Sequence, residues 1–274
     1  ACEPGEVRVH LARGRERVYL NHLKRLIRGV HAMGGEVLFW GDILREHPEL
    51  VAELPRERTT ALAWWYEAPV DSPHIPPELR EVASEFGFSE KAQKGFAGHV
   101  PAFVEAGLPF WVCPGTSTWN TFIGRWSNAR ANLLDAAEVG TAQGASGYLI
   151  TDWGDNGHMQ PPSVSWLPLA YGAAVSWCLE ANRDLDVAAV LDAFVFEDVS
   201  GRIGRALERI GDAYLGTGKI AFNGSALFNA VVGDGLLGAL GRPDPAALRA
   251  TIDGLEEASA EIERSAPACA DGAI

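Results

Sequence analysis

The chain alternates between stretches with apolar residues at helical spacing and short, continuous apolar runs. In residues 18–33, for example, Leu23, Ile27 and Val30 fall on one helix face, and the pattern ends at a glycine pair. The helices predicted in this way cover residues 18–33, 48–54, 90–106, 128–143 and 165–179. The apolar runs predict strands at residues 36–40, 59–65, 108–113 and 147–152, with a possible fifth strand ending at Cys2. Such an alternation predicts parallel strands covered by helices.

The pattern changes near residue 184, where tryptophan disappears and alanine becomes more frequent. Helical patterns separated by Gly, Pro and Asn residues follow at residues 187–196, 202–215, 226–240 and 245–262. We therefore predict an α/β domain over residues 1–184 and an all-α domain over residues 185–274. A complete (β/α)8 barrel takes about 250 residues, so the first domain is either a small open sheet or the C-terminal half of a barrel.

The composition of the 274 residues, 47% hydrophobic and 22% charged, is typical of a soluble globular protein. A net charge of −13 argues against nucleic acid as a partner, because a groove for phosphates needs clustered lysines and arginines. The one basic cluster is interpreted as the solvated face of a helix and contains Arg13, Arg15, Arg17, Lys24, Arg25 and Arg28. No apolar run is long enough to cross a bilayer, so no membrane partner is expected.

The four cysteines lack paired spacing, so they predict neither a zinc ribbon nor a disulfide framework. Reduced thiols fit a cytoplasmic protein. Because the chain begins at Ala1 rather than at a methionine, we interpret it as a fragment and infer nothing from the lack of a signal peptide. We expect neither a cofactor nor a bound metal.

The most informative stretch follows the fourth predicted strand and reads Thr-Asp-Trp-Gly-Asp-Asn-Gly-His over residues 151–158. Barrels and open α/β folds build their ligand sites at this end of a strand. An aromatic residue also stands beside a polar one after the other predicted strands, at residues 39–42, 64–67 and 118–120. Aromatic rings next to carboxylates and amides suit a sugar, whose C–H faces stack on rings while its hydroxyls form hydrogen bonds.

Five segments, taken in order, resemble glycoside hydrolase family 20, whose members are β-N-acetylhexosaminidases built on a (β/α)8 barrel. The likeness runs from Cys2 to about Phe196 and is closest to bacterial members with a helical C-terminal extension. It implies that the first domain is the C-terminal half of a (β/α)8, TIM-type barrel. The segments are Cys2-Glu3, Phe39-Trp40-Gly41-Asp42, Trp64-Trp65-Tyr66-Glu67, Cys113-Pro114-Gly115-Thr116-Ser117-Thr118-Trp119-Asn120 and Thr151-Asp152-Trp153-Gly154-Asp155-Asn156-Gly157-His158.

The resemblance implies catalytic roles for the first two of these residues. Members of the family carry an Asp-Glu pair, in which Glu protonates the glycosidic oxygen and Asp orients the 2-acetamido group of the substrate. The carbonyl oxygen of that group attacks the anomeric carbon, so this retaining mechanism needs no protein nucleophile, unlike the usual two-carboxylate scheme. Glu3 takes the acid/base position and Cys2 the position of the Asp. Because a thiol cannot hold an amide N–H as a carboxylate does, a glycan-binding protein without turnover is the alternative.

The resemblance also implies a set of substrate contacts. Trp153 and Asp155 match the Trp-x-Glu that packs on the sugar and binds its hydroxyls, with a carboxylate one methylene shorter. Strand alternation sends only one of the rings of residues 64–65 inward, and the pattern does not decide which. The set is Trp40, Asp42, Trp65, Glu67, Trp119, Asn120, Trp153, Asp155 and His158. A metal site of Asp152, Asp155 and His158 is a further alternative, disfavoured because the other histidines are scattered.

Overall fold

A computed structural model describes residues 14–75, 77, 89–219, 221–232 and 244–265. Cys2 and Glu3 lie outside the described residues, and so does the possible strand that ends at Cys2. The same holds for most of the second half of the helix predicted at residues 226–240.

The first part of the chain forms a parallel sheet whose strands are separated by helices. The strands are β1 (Val37–Trp40), β2 (Thr59–Trp64), β3 (Phe110–Cys113) and β4 (Gly147–Tyr148), paired in parallel in the order β1-β2-β3-β4. The helices are α1 (Arg15–Ala32), α2 (Asp42–Arg45), α3 (Pro48–Val51), α4 (Glu90–Gln93), α5 (Pro101–Ala106) and α6 (Trp126–Gln143). The α/β class and the parallel sheet are thus confirmed.

The two faces of the sheet differ in burial. On one face, strand residues pack with Leu20, Leu23 and Ile27 of α1 in a hydrophobic core; these strand residues are Phe39, Ala61, Ala63, Phe110 and Val112. Successive side chains of a strand point to opposite faces. On the other face Leu38 is 44% exposed, and Trp40, Trp64 and Trp111 are only partly buried. Tryptophan rings therefore remain accessible near the ends of these strands.

Several predicted elements differ in their bounds from those observed, among them the helix at residues 90–106 and the fourth strand. The helix predicted at residues 90–106 is divided into α4, a 3-10 helix at Gly95–Gly98, and α5. Gly95 has a left-handed φ of 58°, and Pro101 starts α5 because it lacks the N–H that a continuous helix would use. Strand β4 is shorter than the predicted strand at 147–152, although Thr151 still forms a parallel bridge with Gly115.

The later part of the chain is helical over the residues described. Its helices are α7 (Trp166–Trp177), α8 (Leu179–Asn182), α9 (Val187–Phe194), α10 (Ile203–Gly211), α11 (Ala226–Val232) and α12 (Pro245–Ser265). One hydrophobic core joins Trp126 and Tyr171 to Leu191 and Ile203, across the predicted boundary at residue 184. The division into two domains there stays a prediction. Among the described helices, none has the length and apolar character needed to span a bilayer.

Candidate functional site

The carboxyl ends of the four parallel strands lie along one edge of the sheet, so the loops after them are neighbours. Strands β1 and β4 are the outermost pair, and three strand spacings of a flat sheet would separate them by about 14 Å. Nevertheless, the rings of Trp40, at the end of β1, and Trp153, after β4, have centroids only 5.7 Å apart. The loop after β4 therefore reaches back across the edge and places two indoles side by side.

Tyr66 fixes the position of Trp153. The indole Nε1 of Trp153 donates a hydrogen bond of 2.8 Å to the hydroxyl of Tyr66, while the indole as a whole stays 37% exposed. The Tyr66 ring stacks on Trp64 and meets the edge of Trp119. Burial is the main cause that raises the pKa of Tyr66 to about 12, so its hydroxyl stays protonated. Tyr66, which packs against Trp64 and Trp119, thus holds the exposed ring of Trp153 in place.

Asp152 is the centre of a polar cluster beside these rings. Its Oδ1 accepts hydrogen bonds from the hydroxyls of Thr116 (3.0 Å) and Thr118 (2.8 Å). Its Oδ2 accepts one from Ser165 at 2.7 Å, and Nε2 of His158 lies 3.4 Å from Oδ1. Because both carboxylate oxygens already have donors, Asp152 orients the loop rather than presenting a free carboxylate.

The loop after Asp152 has an unusual backbone. Asn156, Gly157 and His158 have φ values of 53°, 100° and 47°, three left-handed residues in succession. A non-glycine residue in such a conformation costs of order 1–3 kcal/mol and persists only where its surroundings hold it. Here Nδ2 of Asn156 donates to Oδ1 of Asn120 at 2.7 Å. Asp155 lies in this loop and is exposed.

Glu67, in the loop after β2, is buried in an ion pair. Arg125 donates two hydrogen bonds to its carboxylate, at 2.8 and 3.0 Å, and the two residues are 8% and 3% exposed. Burial would lower the pKa of Arg125, but the charge and hydrogen bonds of Glu67 outweigh it and raise that pKa. A bidentate pair of this kind is strong and directional. It fixes the loop after β2 against the start of α6.

Two asparagines four residues apart on α6 hold the backbone of the neighbouring loops. Asn128 accepts a hydrogen bond from the N–H of Ala68 and donates to the carbonyl of Tyr66. Asn132 accepts from the N–H of Gly115 and donates to the carbonyl of Trp65. These amides satisfy buried backbone groups that have left the sheet ladder.

The turn at residues 221–225 contacts the same loops from the later part of the chain. Ala221 and Gly224 form an antiparallel bridge, and Asn223 between them has a φ of 55°. Oδ1 of Asn223 accepts a hydrogen bond from the indole of Trp119 at 2.7 Å, and its N–H donates to Glu67 at 2.8 Å. The 221–225 turn therefore covers the loops after β2 and β3.

The structure brings together five of the residues predicted to contact substrate: Trp40, Asn120, Trp153, Asp155 and His158. Asp42 begins α2 next to Tyr19, whose pKa is raised by burial and then by the charge of Asp42. Three predicted contacts, in contrast, are buried beneath the loops: Trp65, Glu67 and Trp119. They support the exposed residues instead of lining an open surface.

Trp65, named as a substrate contact, lies in the core, and Trp64 is the ring on the opposite face of the sheet. Trp65 belongs to the core on the helix side, where its ring packs at a tilt against the imidazole of His99 with centroids 4.2 Å apart. Burial, followed by the charges of Arg45 and Lys91, lowers the pKa of His99 to about 3, so this imidazole is neutral. Trp64 points to the opposite face because successive side chains alternate.

The metal alternative finds no support in the described part of the chain, where no three His, Cys, Asp or Glu side chains are placed to hold an ion. Comparison with known proteins adds no identification, since no protein-family model matches the chain and no curated protein matches it. The resemblance to glycoside hydrolase family 20 therefore stays a hypothesis.

Sequence reasoning missed the residues that support the site, above all Arg125, Asn128, Asn132 and Asn223. The two α6 asparagines left a signal, because polar residues at positions i and i+4 on the buried face of an alanine-rich helix need partners. Asn223 left only the Asn-Gly pair of a turn. Nothing in that pair indicates which distant loop it contacts.

Proposed function

We propose that this chain belongs to a glycoside hydrolase that removes terminal β-linked N-acetylhexosamine, and that it forms the C-terminal half of the catalytic barrel. The observation that carries the proposal is the exposed indole of Trp153, fixed by Tyr66 and set beside Trp40 at the carboxyl edge of a parallel sheet. Ligand sites of barrels and open α/β sheets lie at that edge. Trp153 and Trp40 would contact the apolar faces of a sugar, while Asp155 and His158 bind its hydroxyls.

The general acid in this proposal is Glu3. Two carboxylates at the described edge are already engaged, since both oxygens of Glu67 bind Arg125 and both oxygens of Asp152 bind hydroxyls. The protein's own donors occupy both carboxylates, and the resemblance assigns the acid to Glu3. The acetamido oxygen of the substrate would attack the anomeric carbon, with residue 2 next to it.

A glycan-binding protein without turnover is the second candidate, and Cys2 is the feature that favours it. A thiol at the position of the orienting carboxylate cannot hold the acetamido N–H for attack. The aromatic site would then bind N-acetylhexosamine without cleaving it.

Parallel assays of hydrolysis and binding separate the two candidates. The substrate is a chromogenic β-N-acetylglucosaminide, and binding is followed with its uncleaved methyl glycoside. Glu3→Gln should reduce hydrolysis by about 10²–10⁴-fold with nearly unchanged binding, because the amide cannot donate the proton. Cys2→Asp should raise turnover of N-acetylated sugars and leave simple glucosides unaffected. Both assays use the chain together with the first half of the barrel that the proposal requires. Binding without hydrolysis there supports the second candidate, and full activity of Glu3→Gln overturns the assignment of the acid.

A further inference from the structure

The backbone carbonyl of Asn223 and the side chains of Asn120 and Asn156 link the 221–225 turn to the loop that carries Trp153. We propose that Asn223 is a positioning residue, which acts through Asn120 and Asn156 to set the conformation of residues 153–158 and thereby controls sugar binding. The part of this inference that concerns sugar rests on the proposed function. The link between the three residues stands on the contacts alone.

The first step of the link consists of three hydrogen bonds that Asn223 forms. Its N–H donates to Oε1 of Glu67 at 2.8 Å, and its Oδ1 accepts from the indole of Trp119 at 2.7 Å. Its carbonyl oxygen accepts from Nδ2 of Asn120 at 3.1 Å. These bonds span 103 to 156 residues of sequence, and they lock the turn to the loops after β2 and β3 at once.

The second step is the orientation of the Asn120 amide. Its NH₂ faces the carbonyl of Asn223, so its oxygen faces the other way and accepts from Nδ2 of Asn156 at 2.7 Å. A flipped amide would set oxygen against oxygen at one end and N–H against N–H at the other. Only one orientation satisfies both partners, and Asn223 selects it. The N–H of Ser225 also donates to the backbone carbonyl of Asn120, at 3.0 Å.

The third step reaches the proposed sugar contacts. Asn156 is the first of the three left-handed residues in the loop after β4, and a backbone of this kind needs an outside contact to hold it. The Trp153 ring is held by its hydrogen bond to the Tyr66 hydroxyl. The segment after Trp153 is held by the hydrogen bond from Asn156 to Asn120. Freeing Asn156 would release Asp155 and loosen the Trp153 ring, although the sheet beneath them is unchanged.

The test combines binding with a spectroscopic signal from the loop. Asn223→Gly keeps the left-handed backbone and the carbonyl that accepts from Asn120, but it removes the side-chain acceptor for Trp119 and so loosens the turn that places this carbonyl. Asn223→Asp keeps both the side-chain acceptor and the tolerance of left-handed φ. Asn156→Ala removes the far end of the link. Asn182→Gly is the matched control, because Asn182 lies in the helical region and bonds the carbonyl of Ala174, away from the loops.

Binding of methyl β-N-acetylglucosaminide is the first readout. We expect Asn223→Gly and Asn156→Ala each to raise the Kd about tenfold, and the double variant to raise it about tenfold rather than a hundredfold, since coupled residues do not act additively. Asn223→Asp should restore most of the affinity, and Asn182→Gly should leave the Kd unchanged. An unchanged Kd in Asn223→Gly, or fully additive losses in the double variant, would overturn the link.

The second readout separates this proposal from the proposed function. The side-chain amide signals of Asn156 and the indole signal of Trp153, observed by NMR on ¹⁵N-labelled chain, should shift in Asn223→Gly and not in Asn182→Gly. If the sugar does not bind even when the first half of the barrel is supplied, the proposed function fails, and the link is decided by these signals alone. Unmoved signals in Asn223→Gly overturn it even if the sugar binds.

Discussion

Trp40, at the end of β1, and Trp153, in the loop after β4, are not fully buried, whereas Trp65, Tyr66 and Trp119, in the loops after β2 and β3, are buried. Trp153 is 37% exposed beside Trp40, while Trp119, at the corresponding place after β3, is 1% exposed. Both tryptophans follow a strand and stand next to a polar residue in the sequence, Asn120 after Trp119 and Asp152 before Trp153. The pattern that predicts a ligand contact therefore produces a surface in one place and a support in the other.

The 221–225 turn accounts for this difference. It lies over Trp119 and Glu67, and supplies a hydrogen-bond acceptor to the first and a donor to the second. The buried pair of Glu67 and Arg125 also contacts the turn, through the carbonyl of Ala221. An aromatic next to a polar residue thus stays accessible only where no other segment of the chain covers it.

Breaking the buried ion pair of Glu67 and Arg125 should have the largest effect on stability. Arg125→Met should lower the free energy of unfolding by about 3–5 kcal/mol, because it leaves the buried carboxylate of Glu67 without a counter-charge. Glu67→Gln together with Arg125→Met should recover much of this loss, since no unpaired charge remains and the amide still accepts from Asn223. Urea unfolding measures both variants.

Arg183→Met is the matched control for that pair. Arg183 forms an ion pair with Glu138 in which both side chains are largely solvent-exposed, so its loss should cost under about 1 kcal/mol. Equal losses in the two single variants would mean that the Glu67 pair does not hold the loops.

Replacing one buried and one exposed tryptophan with alanine should separate an effect on stability from an effect on sugar binding. Trp119→Ala should cost about 3–5 kcal/mol of stability, as large buried side chains do when they are removed. Trp153→Ala should cost under about 2 kcal/mol of stability, mainly for its hydrogen bond. It should weaken sugar binding by about 1–3 kcal/mol, by analogy with bases stacked on aromatic rings. Calorimetric titration and thermal unfolding provide the two numbers, and an unfolded Trp153→Ala chain would place this ring in the core.

Asp135 of α6 should have a smaller effect on stability, and this effect should depend on pH. Burial raises the pKa of Asp135 from 3.8 to about 7, although the N–H of Phe96 donates to its carboxylate at 2.7 Å. Between pH 3.8 and about 7, Asp135 is therefore protonated in the folded chain and ionised in the unfolded chain. Stability contributed by this group falls as the pH rises from 3.8 to about 7 and stays low above it.

Asp135→Asn keeps an acceptor for Phe96 and removes the titration. Relative to the native chain, it should be more stable by on the order of 1–3 kcal/mol above pH 7, with the difference shrinking toward pH 4. Urea unfolding across this range checks the sign. A difference that grows as the pH falls would contradict the raised pKa.

The exposed carboxylate should affect stability least. Asp155→Asn should change the free energy of unfolding by less than about 0.5 kcal/mol, as surface substitutions usually do, yet weaken binding of an N-acetylhexosaminide. Asp155→Glu restores the length that the resemblance expects and should strengthen binding. Unchanged binding in both variants would remove Asp155 from the sugar site.

The order of helices and strands followed from the sequence because apolar periodicity is local, and the parallel sheet followed from their alternation. The position of residues 151–158 at a strand end was predicted for the same reason. The side chains that face the site were not. Trp64 and Trp65 are neighbours in sequence, and only the register of β2 against β1 and β3 decides which ring enters the core.

The sequence by itself determined the α/β class and the concentration of aromatic and polar residues after the strands, since these depend on hydrophobic spacing within short segments. The tertiary structure decided which of those residues stay accessible. Trp119 and Glu67 are buried, and Asn223, more than a hundred residues later, bonds to both of them. Contacts between such distant residues leave no periodic pattern, so burial at the strand ends depended on the folded chain.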